Sequence, residues 1–132
     1  MTSELREAKK WLHGAGHLCI LSHASPDGDA VGSVLGLTWA LRAAGKRVTP
    51  VLPDDVPATF AFLPGCSEVA KAVPADVDLL VTLDTADVGR LGSLGQDLTH
   101  QIDINIDHHI SNSRFANINL VADDMAATSE YL

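Results

Sequence analysis

Three stretches of the sequence are rich in aspartate and histidine, and in each the polar residues begin where a run of apolar, strand-like residues ends. They are SHASPDGDAVGS (22–33), VTLDTAD (81–87) and NIDHHISN (105–112). Carboxylate oxygens together with imidazole nitrogens suit borderline divalent metals such as Mn²⁺. Paired ions of this kind polarise phosphate esters and activate a water for hydrolysis. The three stretches therefore indicate metal-dependent phosphate chemistry.

The first stretch places His23, Asp27 and Asp29 in one short loop after an apolar run. Neighbours two apart in an extended chain point the same way, but a bend at Pro26 and Gly28 lets the two aspartates turn toward different ions. The alternative is an ordinary Pro-Asp-Gly turn in which Asp29 caps the next helix. Asp29 can serve both roles in part, so the two interpretations stay open.

The second stretch contains Asp84, which follows the apolar run LLVTL directly. A carboxylate buried at the end of a strand requires a cation to offset the loss of hydration. One acid in this position can also bridge two metals. Asp87 lies on the same loop, but we expect it to cap a helix that starts at Val88, and we leave it out of the metal-binding set.

The third stretch contains Asp107, His108 and His109 in succession. Adjacent histidines after a strand can divide their work, with one ring binding metal and the other facing a substrate phosphate. In an open parallel sheet the carboxyl ends of the strands share one edge. We therefore expect the three stretches to meet in one crevice.

The elements that must position these residues follow from the hydrophobic pattern. We expect one helix from Ser3 to about His13 and another from Asp29 to a stop at Gly45. Pro50 favours the end of a strand or the edge of the sheet. Short apolar runs predict strands at HLCIL, RVTPVL, VDLLVTLD, INID and NINLV.

The remaining segments carry weaker signals. PDDVPATFAFLPG is typical of a loop with a short helix, a glycine-interrupted helix is expected around Val88 to Leu98, and MAATSEYL turns helical. The alternation of strands and helices predicts an α/β fold, with a mostly parallel central sheet and helices on both faces.

Composition limits the classes of protein. A chain of 132 residues, 46% of them hydrophobic, can bury one core, so we expect residues 1–132 to form a single domain. Its apolar runs are far shorter than the roughly 20 residues that cross a bilayer, and no leader opens the chain, so we expect a soluble, cytoplasmic protein. Cys19 and Cys66 have no C-x-x-C spacing and are expected to be reduced, structural thiols.

The formal charge of −8 disfavours a sequence-independent clamp on nucleic acid. Bound divalent cations would invert the sign of the charge locally, so small phosphorylated ligands remain compatible with the acidity. We accordingly expect no duplex DNA partner and no membrane partner.

The motifs H-x-x-P-D-G-D-x-x-G-S, D-T-A-D and D-H-H-x-x-N, in this order, resemble those of the DHH phosphoesterase superfamily. ATSE (127–130) is similar to a downstream segment of the same family. Within the superfamily, the chain most resembles the bifunctional oligoribonucleases, or nanoRNases, that also hydrolyse 3′-phosphoadenosine 5′-phosphate. Pyrophosphatases of the manganese class share the ligand plan but usually carry a different residue between the two acids.

The resemblance implies two Mn²⁺ ions, with Mg²⁺ or Co²⁺ as alternatives, and a water between them as the nucleophile. His23, Asp27 and Asp84 would hold one ion. Asp29, Asp84 and His108 would hold the other, with Asp84 shared.

The resemblance also implies roles for the residues around the metals. His109 would contact the scissile phosphate or protonate the leaving group, and Asp107 would orient the histidines. Asn112 would touch the substrate. The partner would be a short RNA or a phosphorylated nucleotide, and a homodimer is left open as the assembly.

One feature of the family is absent from this sequence. The family places a further aspartate ligand of the second metal after ATSE, followed by a substrate-binding domain. Asp123 or Asp124 could replace that ligand, although helix capping is the expected role of both. We therefore expect this chain to be an incomplete catalytic domain with a weakened second metal site.

Two functional classes follow. The first is a Mn²⁺-dependent hydrolase of very short RNA and of 3′-phosphoadenosine 5′-phosphate, with pyrophosphatase and cyclic-dinucleotide phosphodiesterase as alternatives within the enzymes. The second is a non-catalytic module that keeps the metal and phosphate pocket. The sequence favours the hydrolase.

Overall fold

The computed structural model describes residues 3–92, 94–95 and 102–122 of the chain. This part contains one five-stranded sheet, formed by β1 (His17–Leu21), β2 (Arg47–Val51), β3 (Leu79–Leu83), β4 (Ile104–Asp107) and β5 (Ile118–Val121). The strand order is β2-β1-β3-β4-β5, and every neighbouring pair is parallel. The predicted α/β class is confirmed, and all five predicted strands are present.

Helices precede β1 and follow β1, β2 and β3. The described elements are α1 (Ser3–Gly14), α2 (Gly28–Ala43) and short 3₁₀ helices at Ala58–Phe60, Cys66–Glu68 and Val88–Leu91. The first helix and the short helix in the loop after β2 lie where the sequence predicts them. Among the described residues, no helix is both long enough and apolar enough to span a membrane.

The central strands are buried along their whole length. Every residue of β1, β3 and β4 is buried, in agreement with the unbroken apolar runs that predicted them. Strands of parallel sheets are covered on both faces, so apolar side chains occupy both orientations.

Pro50 lies within β2, at the edge of the sheet, as the sequence predicts. Its carbonyl accepts a hydrogen bond from the amide of Ala70 (2.9 Å), and the amide of Leu52 donates to the Ala70 carbonyl (3.0 Å). Proline is tolerated in an edge strand because no neighbouring strand needs its missing N–H on the outer side. Ala70 thus pairs with part of the outer edge of β2.

The two faces of the sheet are packed differently. On one face, the α-helices contribute Ala8, Val31 and Val34 to a core shared with the strands. On the other face, Leu91 and Leu94 cover the remaining strand side chains. Both faces are covered as predicted. Within the described residues, however, both α-helices lie on the same face, and the other face carries the 3₁₀ helix Val88–Leu91.

The helix after β1 begins earlier than predicted. Asp27, rather than Asp29, is its N-cap, and the Asp27 Oδ1 atom accepts a hydrogen bond from the Ala30 amide (2.9 Å). The interpretation of Asp29 as the cap is therefore wrong, and Asp29 lies in the first turn of α2. An aspartate there still faces the positive end of the helix dipole.

The helix predicted at 88–98 starts as the 3₁₀ helix Val88–Leu91, and Asp87 caps it as expected, with its Oδ1 atom 3.2 Å from the Arg90 amide. Gly92 follows with φ +59°. Residues 93 and 96–101 lie outside the described part. So do the predicted helix MAATSEYL and the acids Asp123 and Asp124.

The strand order fixes where the loops converge. The chain moves from β1 outward to β2 on one side, and β3 then lies on the other side of β1. The order therefore reverses between β1 and β3, and in open α/β sheets the crevice at this point, outside the carboxyl ends of the strands, is where ligands bind. The loops after β1, β3 and β4 all border that crevice.

Candidate metal centre

The carboxylate of Asp84 lies at the centre of the crevice. Its Oδ2 atom is 3.2 Å from His23 Nε2, and its Oδ1 atom is 3.2 Å from His108 Nε2. One side chain at the end of β3 thus faces a histidine from the loop after β1 and another from the loop after β4. The arrangement offers two places for a cation on either side of a shared carboxylate.

The first place is lined by His23, Asp27 and Asp84, whose potential ligand atoms lie within 4.8 Å of one another. The Nδ1 atom of His23 is 2.7 Å from the Ala24 carbonyl, which can only accept, so Nδ1 carries a hydrogen and Nε2 faces the acids. Asp27 Oδ1 is 3.8 Å from that Nε2 atom. The hydrogen bond with Asp84 raises the pKa of His23 to about 9, so this position stabilises a positive charge.

The second place is lined by Asp29, Asp84 and His108. Asp29 Oδ2 is 3.5 Å from His108 Nε2, while its Oδ1 accepts a hydrogen bond from the Ser33 hydroxyl (3.0 Å). Ser33 lies one turn further along α2 and is buried. The helix therefore fixes one carboxylate oxygen of Asp29 and presents the other to the crevice.

Asp84 is only 3% exposed, and burial raises its pKa above the ordinary value, with the nearby charges of Asp29 and Asp27 adding to the effect. Three carboxylates this close repel one another unless a cation lies between them. Carboxylate oxygens with imidazole nitrogens form a donor set that suits divalent ions such as Mn²⁺ and Zn²⁺. The donor atoms present therefore suit divalent cations.

His109 and Asp107 form a pair beside the two places. His109 Nδ1 is 2.6 Å from Asp107 Oδ1, and Asp107 is fully buried. This contact fixes the ring of His109 and leaves its Nε2 atom for another partner. The His109 side chain is 40% exposed, compared with 20% for His108, so His109 is the more accessible of the two.

Asn112 braces this pair. Its amide nitrogen donates to Asp107 Oδ2 (2.8 Å) and reaches the Thr85 carbonyl (3.3 Å), and its Oδ1 atom accepts from the Arg114 amide (2.6 Å). The amide group is thus used by contacts within the protein. A contact between Asn112 and substrate stays a prediction.

All eight residues selected from the sequence meet at this edge, and their chemical roles stay predictions. They are His23, Asp27, Asp29, Asp84, Asp107, His108, His109 and Asn112.

Backbone strain is concentrated on the same three loops. In the described part of the chain, three residues other than glycine have positive φ: Ser25 (51°), Asp84 (55°) and Arg114 (52°). They lie on the loops after β1, β3 and β4 respectively. A left-handed backbone costs a non-glycine residue about 1–2 kcal/mol, and such residues cluster at functional sites.

The residues that support these loops were not predicted from the sequence. Thr82 donates its hydroxyl to Asn105 Oδ1 (2.8 Å), and the Asn105 amide donates to the Thr85 carbonyl (3.1 Å). Both side chains are fully buried. The available signal was a polar residue in the interior of a buried strand, Thr82 in LLVTL and Asn105 in INID.

Asp54 was also missed. Its Oδ2 atom accepts a hydrogen bond from the Ser25 amide (2.6 Å), which holds the loop between His23 and Asp27. The two residues are 29 positions apart, and nothing in the local pattern around Asp54 indicates the contact.

Comparison with known proteins defines the class. The model of the DHH family, N-terminal domain, matches residues 17–132. This match covers most of the chain, so the protein belongs to the DHH family.

Two similar proteins extend this result. The bifunctional oligoribonuclease and PAP phosphatase NrnA of Thermus thermophilus is 40% identical over 119 residues, which is 87% of this chain and 35% of that protein. The crystal structure of an exopolyphosphatase-related protein from Bacteroides fragilis superposes with a TM-score of 0.89 and 26% identity, over 99% of this chain and 43% of that one. The chain thus spans less than half the length of each of these two proteins.

Proposed function

We propose that this chain is the metal-binding part of a Mn²⁺-dependent phosphoesterase that hydrolyses short oligoribonucleotides, 3′-phosphoadenosine 5′-phosphate or both. The observation that carries the proposal is the position of Asp84, whose two oxygens face His23 and His108 at equal distances of 3.2 Å. The oligoribonuclease and PAP phosphatase activities in the name of the Thermus relative support the choice of substrates.

In this proposal, His23, Asp27 and Asp84 hold one cation, and Asp29, Asp84 and His108 hold the second. When bound, two cations lower the pKa of a water and offset the negative charge that builds up on phosphorus. Ser33 keeps Asp29 turned toward the second position through its hydroxyl. The burial of Asp84 keeps competing water away from the shared carboxylate.

His109 is the proposed proton donor. Its Nδ1 atom is held by Asp107 at 2.6 Å, which fixes the orientation of the ring and leaves Nε2 for the reacting group. A protonated Nε2 can give its hydrogen to the oxygen that leaves phosphorus. Asp107 serves as the positioning residue because it lies against His109 and Asn112.

We place this activity in the cytoplasm, as part of the same proposal. Cys19 is buried and Cys66 is partly buried, and both are free thiols. Burial raises the pKa of the Cys19 thiol to about 12, which makes it unreactive. Unpaired structural thiols are typical of a reducing compartment.

The test compares Asp84→Asn with Asp87→Asn in the protein at its natural length. Asp84 is shared by both cation positions, so its amide variant weakens both at once, and we expect hydrolysis to fall by at least about 10³-fold. Asp87 lies three residues after Asp84 on the same loop and caps the 3₁₀ helix Val88–Leu91. Asparagine caps a helix about as well as aspartate does, so the same charge change there should leave turnover within a few-fold of wild type.

Four substrates make the assay decisive: a diribonucleotide, 3′-phosphoadenosine 5′-phosphate, a cyclic dinucleotide and pyrophosphate, each with Mn²⁺. Release of product from the diribonucleotide, from 3′-phosphoadenosine 5′-phosphate or from both, and from neither of the other two compounds, supports the proposal. Turnover of only pyrophosphate, or of only the cyclic dinucleotide, would mean that this compound is the substrate and that the proposed substrates are wrong. Equal losses from the two variants, or no turnover of any substrate with metal bound, would contradict the assignment.

A further inference from the structure

The cationic side chains of this acidic protein are unevenly engaged. Of the nine lysines and arginines, three lie on α1. Four others have partners: Arg42 with Glu68, Arg47 with Asp76, Lys71 with Asp55, and Lys46 with backbone carbonyls at the end of α1. Arg90 and Arg114 are left. In the part of the chain that the structure describes, their side chains are exposed and make no hydrogen bond or ion pair.

Both arginines lie on the loops of the metal centre. The Arg90 carbonyl accepts a hydrogen bond from the amide of Ala24 (2.7 Å), the residue after His23. The Arg114 amide donates to Asn112 Oδ1 (2.6 Å), and Asn112 in turn contacts Asp107. Their main chains are therefore fixed to residues that line the crevice, one from the loop after β3 and one from the loop after β4.

A third contact joins the two loops. The amide of Ser113, the residue before Arg114, donates to the carbonyl of Ala86 (2.8 Å), on the loop that continues to Arg90. The two arginines thus belong to one hydrogen-bonded rim. These hydrogen bonds fix the main chain of both arginines relative to the loops that carry the metal-binding residues.

The backbone of Arg114 is an independent observation. Its φ of +52° lies in the left-handed region, where glycine is the favoured residue and arginine is strained. A surface arginine that served only solubility could be replaced by glycine there with a gain in stability. Strained residues of this kind are typical of positions that bind ligand.

We propose that Arg90 and Arg114 bind a second phosphate of the substrate, next to the phosphate that is hydrolysed. The inference rests on the proposed function, and it names the feature of the substrate that the rim selects. Guanidinium groups bind phosphate oxygens through paired, charge-assisted hydrogen bonds. A nucleoside bisphosphate and a 5′-phosphorylated dinucleotide both carry such a second phosphate.

The test uses the natural-length protein and two substrates that differ in one group. A diribonucleotide with a 5′-phosphate is compared with the same dinucleotide without it, so the scissile linkage is identical. In Arg90→Gln and Arg114→Gly we expect kcat/KM on the phosphorylated substrate to fall by about tenfold or more, mainly through KM, because a charge-assisted contact is lost. On the unphosphorylated substrate both variants should stay within twofold of wild type.

Two controls separate binding from folding. Arg47→Gln removes the same charge at the amino end of β2, whereas the metal centre lies at the carboxyl ends of the strands. This variant should affect neither substrate. Arg114→Gly should melt no lower than wild type, because glycine relieves the left-handed backbone. Equal losses on both substrates, or unaltered kinetics in both variants, would overturn the proposal.

The two proposals fail in different ways. If the wild type cleaves neither the dinucleotides nor 3′-phosphoadenosine 5′-phosphate, the proposed reaction is wrong, and calorimetric titration with the uncleaved 3′-phosphoadenosine 5′-phosphate, which carries two phosphates, in the presence of Mn²⁺ then tests the arginines alone. Weaker binding in Arg90→Gln and Arg114→Gly than in Arg47→Gln supports a phosphate subsite. Identical affinities in all variants, or no binding to the wild type, would overturn it.

Discussion

At the scale of single residues, Asp84 combines three features that each raise the free energy of the folded protein. Its carboxylate is almost fully buried, its backbone is left-handed (φ 55°), and it lies near two other acids. Its amide donates to the Ile106 carbonyl (2.9 Å), which ties the strained turn to β4. Other residues must therefore hold Asp84 in place, and next to it lies a buried chain of hydrogen bonds from Thr82 through Asn105 to the Thr85 carbonyl.

Asn105 is the residue of that chain whose change is most informative. Because the Thr82 hydroxyl donates to its Oδ1 atom, its Nδ2 atom is the donor to the Thr85 carbonyl, next to Asp84. Asn105→Asp keeps the shape but places an oxygen against that carbonyl. We expect the variant to lose about 1–3 kcal/mol of unfolding free energy, and kcat to fall by about tenfold or more because a small misplacement of the site is costly.

Urea denaturation and steady-state kinetics of the natural-length protein measure the two effects. Asn117→Asp is the matched control, since Asn117 is exposed and carries the same change of charge on the surface. A kcat for Asn105→Asp that equals the control's would show that Asn105 supports the fold and not the position of Asp84.

At the scale of the elements, the alignment of β1 with β3 sets the distance between His23 and Asp84. The two strands pair in parallel from Leu18 and Leu79 onward. At their amino ends, Asp78 accepts hydrogen bonds from the amides of Gly16 and His17, both at 2.9 Å. This carboxylate clamps the start of β1 to the start of β3, so the register of the strands is fixed at the end opposite the metal centre.

The clamp predicts a pH-dependent stability. The amides of Gly16 and His17 lower the pKa of Asp78 below its ordinary value. A lowered carboxyl pKa contributes stability above the unfolded pKa of about 4, and that contribution is lost as pH falls through the folded value. Asp78→Asn should therefore lower the unfolding free energy at pH 7, although exposure of the Asp78 side chain to solvent weakens the effect, and the loss should be smaller at the lowest pH at which the protein stays folded.

Urea denaturation at several pH values measures this difference. Asp55→Asn is the control, because Asp55 is 82% exposed and its ion pair with Lys71 is also on the surface. Exposed pairs contribute between zero and about 1 kcal/mol. A loss for Asp78→Asn that is no larger than the control's, or that does not shrink as pH falls, would show that Asp78 is not a clamp.

At the scale of the whole molecule, sequence and structure agree where the physics is local or follows from topology. The apolar runs predicted all five strands, because strands buried on both faces need unbroken hydrophobic residues. The convergence of Asp84 with His23 and His108 followed from the common edge of parallel strands. Two features were not predicted, the contact of Asp54 with Ser25 and the left-handed backbone of Arg114, because both depend on how distant loops pack.

The choice of cap for α2 shows why local patterns can still mislead. Asp27 and Asp29 both stand next to Gly28, and either can cap a helix by its residue type. The structure uses Asp27, whose Oδ1 atom accepts from Ala30, and this leaves Asp29 one position inside the helix, beside His108. The contact of Asp29 with His108 joins α2 to the loop after β4, and the residues near Gly28 carry no information about it.

The metal centre joins three loops of the sheet, so its occupation should change the stability of the whole domain. Without a cation, the acids at Asp27, Asp29 and Asp84 repel one another, and a ligand that binds only the folded state stabilises it by about 2.7 kcal/mol at 100 times its Kd. We expect Mn²⁺ to raise the melting temperature of the natural-length protein by several degrees, and a chelator to reverse the increase. Asp84→Asn should lose most of this shift, because it removes the carboxylate common to both positions, whereas Asp87→Asn should keep it. A shift of equal size in the two variants would mean that Mn²⁺ binds elsewhere on this acidic protein.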